Sequence, residues 1–158
     1  MNIRFLIPGK AREPFLLSGY QEYLKRLSRF GKIEIISLPE EPRGKKPSEK
    51  EISSGLKKEA ERRLKQIKAD DFVFLVDIHG KQIDSSSFAL ERKKALSKKG
   101  NLDFVFGSSY GLDDSLRKRA DYSLSLSSLT FTHYRALLLA IEQVYRARKI
   151  LSGETYDK

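Results

Sequence analysis

The chain contains no cysteine and no tryptophan, one methionine, five prolines and two histidines. Without cysteine there is no disulfide framework, no thiolate metal site and no cysteine nucleophile. That absence suits a reducing compartment. The histidines, His79 and His133, make no spacing with Asp77 that typifies a metal centre, so no metal is expected. Long apolar runs are missing too, since nothing approaches the ~20 residues that span a bilayer. The opening "MNIRFLIPGK" lacks the apolar core and small-residue cleavage site of a secretory leader. These absences lead us to expect a soluble, cytoplasmic protein with no membrane partner. Glycine-rich phosphate loops are also lacking: "GSSYGL" (107–112) matches neither a dinucleotide fingerprint nor a phosphate-binding loop. Ser108 and Ser109 do not sit in a nucleophile elbow, which leaves a hydrolase reading weak.

What the chain has in quantity is positive charge. Lys and Arg number 31 against 21 Asp and Glu, a formal net charge of +10 over 158 residues. The basic residues recur in short runs such as "RGKK" (43–46), "RRLK" (62–65), "RKR" (117–119) and "RARK" (146–149). A field of that sign attracts polyanions, nucleic acid first. Many of these residues also sit beside Glu at helical spacing, as solvated helix faces do.

The length favours one domain over residues 1–158. "NIRFLIP" (2–8) reads as a strand, 13–30 as a helix, and the Ile-rich "KIEIISLP" (32–39) as a second strand. After the charged loop 40–47, Ser48 and Glu51 form a capping box that opens a helix to about Lys68. "FVFLVDI" (72–78) and "LDFVFG" (102–107) are nearly continuous apolar runs, the pattern of strands buried on both faces. Between them lie a turn at 79–86 and a helix at 86–99. A short helix spans 113–120, a strand 122–127 and a long helix 133–151. Strands alternate with helices throughout, which predicts an α/β fold with a mostly parallel sheet flanked by helices.

In such a sheet, ligands sit outside the carboxyl ends of strands. Three of these ends, at 76–80, 107–111 and 126–131, are candidates for one shared pocket. The run "SLSLSSLTFTH" (123–133) alternates hydroxyl and apolar residues and hands over to a helix at His133. His133 is either a base or phosphate contact or simply a residue beside a Thr132 cap. The last helix is apolar over a wide arc, which asks for full burial or a partner subunit; we favour a homodimer interface.

The segments 72–89, 103–133 and 142–158, with "LSLSSLTFTH", "EQVYRA" and the ending "GETYDK", resemble the ribosomal large subunit methyltransferase H family. The resemblance runs essentially end to end. It implies a SPOUT-class α/β fold with a C-terminal trefoil knot, a homodimer, and methyl transfer from S-adenosylmethionine to N3 of a pseudouridine in 23S ribosomal RNA. It also implies that the cofactor is held by Val76, Gly107 and the run Leu126, Ser127, Ser128, Leu129, Thr130 and Phe131. Tyr156, Asp157, His133 and Arg135 become the catalytic candidates. Arg43, Lys45, Lys46, Arg146 and Arg148 become the candidates for holding RNA on the ribosome. Departures from the family pattern are Ser108 in place of a second glycine, Thr132 in place of proline, Leu137 in place of arginine, and Asp157 in place of histidine. Two alternatives stay open: a catalytically weak relative that binds ribosomal RNA, and an enzyme with a different target nucleotide.

Overall fold

The computed structural model describes residues 2–155, which form a five-stranded sheet in the order β2-β1-β4-β3-β5. The strands are β1 (Ile3–Pro8), β2 (Ile33–Leu38), β3 (Phe72–Lys81), β4 (Leu102–Phe106) and β5 (Tyr122–Leu124). Every pairing is parallel. The helices are α1 (Pro14–Ser28), α2 (Glu49–Leu64), α3 (Ser85–Ala95), α4 (Asp114–Arg119) and α5 (His133–Leu151).

Alternation along the strands splits the core into two layers. Ile3, Phe5, Phe74 and Phe104 face α1, α3 and α5, whereas Leu6, Val73, Leu75 and Val105 face α2 and α4. The register sets Phe5, Phe104 and Phe74 side by side on neighbouring strands. Their rings stack at 5.1 Å between centroids in both pairs, which fixes the spacing of the central strands from the side-chain level. α5 lies in the first layer, with Leu137, Ile141 and Val144 buried against the sheet and the flanking helices. Much of its broad apolar arc is thus used within the chain itself. Leu138 fits over Gly19 of α1, where an added Cβ would lie 3.0 Å from a Leu138 methyl carbon.

Several buried charges belong to the fold rather than to a site. Arg4 donates to both carboxylate oxygens of Asp103 at 2.7 Å and reaches Asp71 at 3.3 Å, near the amino ends of β1, β4 and β3. Asp71 also accepts backbone N–H groups of Lys68 and Asn101. Such a group ties the strand starts together and would be costly to break from one side.

Two local expectations are corrected. The strand expected over 122–127 ends at Leu124, and 125–131 is a loop. Its hydroxyls turn back on their own backbone: Ser125 Oγ donates to the Ser127 carbonyl, and Ser127 Oγ accepts from the Leu129 N–H. Such local bonds compete with a ladder and close a turn instead. Conversely β3 runs on through the expected turn to Lys81, past an irregularity after Val76, and pairs with Leu124. Gly80 permits this, because a Cβ there would lie 2.7 Å from the Ser123 carbonyl carbon.

Candidate cofactor cleft

A cavity of about 880 Å³ opens outside the carboxyl ends of β3 and β4, bordered by the loop after β5 and the first turn of α5. Its position follows from the topology, since in an open parallel sheet the strand ends and helix starts leave a crevice there. Val76 and Gly107 line it, as do Leu126, Ser127, Leu129, Thr130 and Phe131. The structure therefore brings together on one cavity the three strand ends that the sequence nominated for a shared pocket. Ser128 is exposed and is not among the lining residues.

The walls have distinct chemistry. After β4 the chain folds tightly, with Ser108 and Gly111 exchanging backbone hydrogen bonds of 3.1 and 3.0 Å. A Cβ on Gly107 would meet the Gly111 carbonyl oxygen at 2.7 Å, so glycine is demanded by close approach rather than by φ. On the other side, Leu129 is 71% exposed and Phe131 41%, an apolar rim left open to a ligand or a second surface. The opening's backbone groups and Ser127 hydroxyl supply donors and acceptors beside that rim.

His133 sits at the start of α5 with Nε2 3.2 Å from the Pro8 carbonyl oxygen and 3.5 Å from Glu40 Oε1. Its ring packs on Tyr134 at 4.0 Å between centroids. Burial pushes its pKa below the ordinary value of 6.5, overcoming the upward pull of Glu40 and of the Pro8 carbonyl. Arg135 lines the cleft, extends over the Phe15 ring at 5.4 Å, and reaches the Thr132 hydroxyl at 3.3 Å. Leu137 is 1% exposed and belongs to the core. Two positions on a helix differ by about 200° in direction, so Arg135 and Leu137 look opposite ways.

A charged pair that sequence spacing missed also borders the cleft. Asp77, buried at the irregularity of β3 that follows Val76, accepts from Arg117 Nε of α4 at 2.9 Å and from the His79 N–H at 3.1 Å. Arg117 also contacts the Leu112 carbonyl and Asp114, so the pair fastens β3 to the segment after β4. The partners are 40 residues apart, and no local signal marks them.

The expected RNA contacts fare differently. The side chain of Arg43 is only 7% exposed, pairs with the buried Glu59 at 3.1 Å and covers the Tyr110 ring at 4.5 Å. Glu59 needs that partner because it is itself buried, so the guanidinium is committed to holding the 39–47 loop. Lys45 and Lys46 are exposed in the same loop. Arg146 pairs with Glu142 at 3.2 Å, and Arg148 lies over Phe30 at 4.7 Å. Tyr156 and Asp157 lie outside the described residues. Among the described residues no cluster of three His, Asp or Glu side chains is arranged to hold a metal ion, and no helix is long and apolar enough to cross a membrane.

With this geometry in place, comparison with known proteins decides the family. The family described as "Predicted SPOUT methyltransferase" matches residues 1–157. The chain belongs to the SPOUT methyltransferase family. Similar proteins include the ribosomal RNA large subunit methyltransferase H of Enterococcus faecalis, 40% identical over 100% of both chains. The protein of the same name from Ruminiclostridium cellulolyticum is 43% identical, again over 100% of both. A putative ribosomal RNA large subunit methyltransferase H from Methanococcus maripaludis is 39% identical over the same span. Among solved structures, a tRNA methyltransferase from Aquifex aeolicus superposes with a TM-score of 0.52 at 21% identity, covering 92% of this chain and 70% of that one. A probable methylase family protein from Haemophilus influenzae gives 0.56 at 13% identity, covering 99% and 70%. At those identities the structural likeness speaks to the SPOUT fold alone.

SPOUT methyltransferases use S-adenosylmethionine, and the cleft has the size and lining to take a small organic ligand. Its volume falls in the range that encloses a small organic ligand. The Gly107 turn offers the cradle that a Cβ would fill, and the Leu126–Phe131 loop combines apolar walls with backbone and hydroxyl groups.

Proposed function

We propose that this protein is an S-adenosylmethionine-dependent methyltransferase acting on large-subunit ribosomal RNA, at N3 of a pseudouridine. The observation that carries the reading is the convergence of Val76, Gly107 and the 126–131 loop on one cavity, in a chain whose full length matches relatives named ribosomal RNA large subunit methyltransferase H; the N3 target rests on the family resemblance. One domain over 1–158 with the knotted threading of the SPOUT class goes with it, as does a cytoplasmic location, where ribosomes are the substrate.

When bound, S-adenosylmethionine supplies an electrophilic methyl group on a sulfonium. The protein's part is to hold donor and acceptor in line, because positioning provides much of the acceleration in such a transfer. Gly107 and Val76 would cradle one side of the ligand, with Leu126, Leu129 and Phe131 as walls. The Asp77–Arg117 pair keeps β3 and the 107–112 turn at fixed separation. His133, biased toward its neutral form, anchors the first turn of α5 to Pro8. Arg135 sets a permanent cation at the mouth, where it would meet a phosphate or stabilise negative charge on the target base.

The tail candidates Tyr156 and Asp157 are proposed to act from a second copy. α5 carries Leu151 about 27 Å from His133, at 1.5 Å per residue. The six residues from Leu151 to Asp157 span at most about 22 Å even when extended. A tail residue that takes the proton or orients the base therefore serves the partner's cleft, which is the physical argument for a homodimer.

The deciding experiment incubates the protein with S-adenosylmethionine and ribosomes lacking the modification, then digests the rRNA for mass spectrometry. N3-methylpseudouridine in the digest is the expected product. Cofactor binding without that product would overturn the target while leaving the cleft assignment intact.

A further inference from the structure

At the end of the molecule opposite the cleft, α1, α3 and α5 finish side by side. α3 and α5 both return antiparallel to the strands of one parallel sheet, so they run parallel to each other. Their register is set by Ser85 Oγ, which donates to Gln143 Oε1 at 2.8 Å. Two turns further on, Arg92 of α3 comes level with the last turns of α5, beside Arg148. Arg92 is 5% exposed, and its Nε and Nη1 are shielded from water without a hydrogen-bond partner. Nη2 is not among the shielded atoms. Burial pushes Arg92 down to about 10, and the Arg148 charge adds to the fall.

The acids nearby are already engaged. Glu91 pairs with Lys94 at 2.8 Å, and Glu154 pairs with Lys149 and feels the charge of Arg29. Arg29 and Arg148 both lie over the Phe30 ring, at 4.6 and 4.7 Å. A buried guanidinium with only Nη2 left open, close enough to Arg148 to feel its charge, is an unfavourable arrangement that an anion bridging Nη2 and Arg148 relieves. Phosphate oxygens suit it because they accept charge-assisted hydrogen bonds from two arginines at once.

We propose that Arg92 and Arg148 form an anion site between α3 and α5 that takes a phosphate of an RNA backbone. The choice of RNA rests on the functional reading above; the anion chemistry does not.

The test has two arms. In the first, the thermal midpoint of the full chain is measured in inorganic phosphate and in chloride of equal ionic strength. The wild type should gain a few degrees in phosphate, and Arg92→Leu and Arg148→Gln should each lose that gain. Arg92→Leu should be at least as stable as wild type in chloride, since it removes unused donors. In the second arm, a single-stranded RNA oligonucleotide is titrated at several salt concentrations. Arg148→Gln should weaken binding and lower the slope of log affinity against log salt by about 1. A phosphate gain that survives in both variants overturns the site. A lost gain with unchanged RNA affinity assigns the site to free phosphate and overturns the RNA assignment. Neither arm measures methyl transfer, so its outcome is separate from that of the proposed activity.

Discussion

Single residues carry the cleft. Gly107 is there because backbone crosses backbone: the Gly111 carbonyl leaves 2.7 Å where a Cβ would stand. Gly107→Ala should cost about 1–3 kcal/mol of stability by overpacking, and should abolish cofactor binding. Urea unfolding and calorimetric titration with S-adenosylmethionine check the two halves. His133 gives a signed pH dependence. Its folded-state pKa is lowered by burial, so below about 6.5 the unfolded chain binds the proton more readily and stability falls as pH drops. Above that value the neutral ring's contribution is complete. Urea midpoints measured between pH 5 and 8 should therefore rise with pH, with a shallower rise in His133→Asn. Arg43 separates a structural from a binding role: Arg43→Ala leaves Glu59 buried and unpaired, which should cost about 3–5 kcal/mol. The salt slope of RNA binding should stay the same. A changed slope at unchanged stability would return Arg43 to the RNA surface.

At the scale of elements, the sheet owes its rigidity to aromatic register. Phe5, Phe104 and Phe74 occupy equivalent places in "IRFLIP", "LDFVF" and "FVFLV", and parallel pairing turns that repetition into a stack. Phe104 is the middle ring and fully buried, so Phe104→Ala should cost about 3–5 kcal/mol, measured by denaturant unfolding. The loop after β5 shows the opposite behaviour. Its serines bond their own backbone, which ends the strand early and frees 125–131 to wrap the cleft. α5 links the two regions: it buries Leu137 and Ile141 in the core while its first turn brings His133 and Arg135 to the cavity.

For the whole molecule, the proposed role of Tyr156 and Asp157 predicts a homodimer in which each copy's tail serves the other copy's cleft. The expected particle has twice the 18.1 kDa chain mass, which sedimentation equilibrium measures. Subunit mixing tests the shared site directly. One inactive variant would lack residues 156–158 and the other would carry Gly107→Ala. Mixed dimers should regain activity through the one complete cleft, and absence of any recovery would refute the exchange of tails. The net charge of +10 should make ribosomal RNA binding fall steeply with salt, as counterion release requires.

Much of this was legible in the linear chain, for local reasons. The apolar runs of β3 and β4, the capping box at Ser48 and the hydrophobic stripe of α5 are patterns of neighbouring residues, and they fix helix and strand directly. The three cleft segments were visible as unusual strand ends, and the resemblance to known methyltransferases gave them a ligand. The pairing of Asp77 with Arg117, the withdrawal of Arg43 onto Glu59 and the meeting of Arg92 with Arg148 were not legible. Each joins residues of different segments, and each depends on how those segments pack against one another. Sequence alone therefore determined the elements, the charge and the family. Tertiary structure decided which cations are spent inside the fold and which face a ligand, because burial and distance, rather than residue type, set whether a charge is already paired.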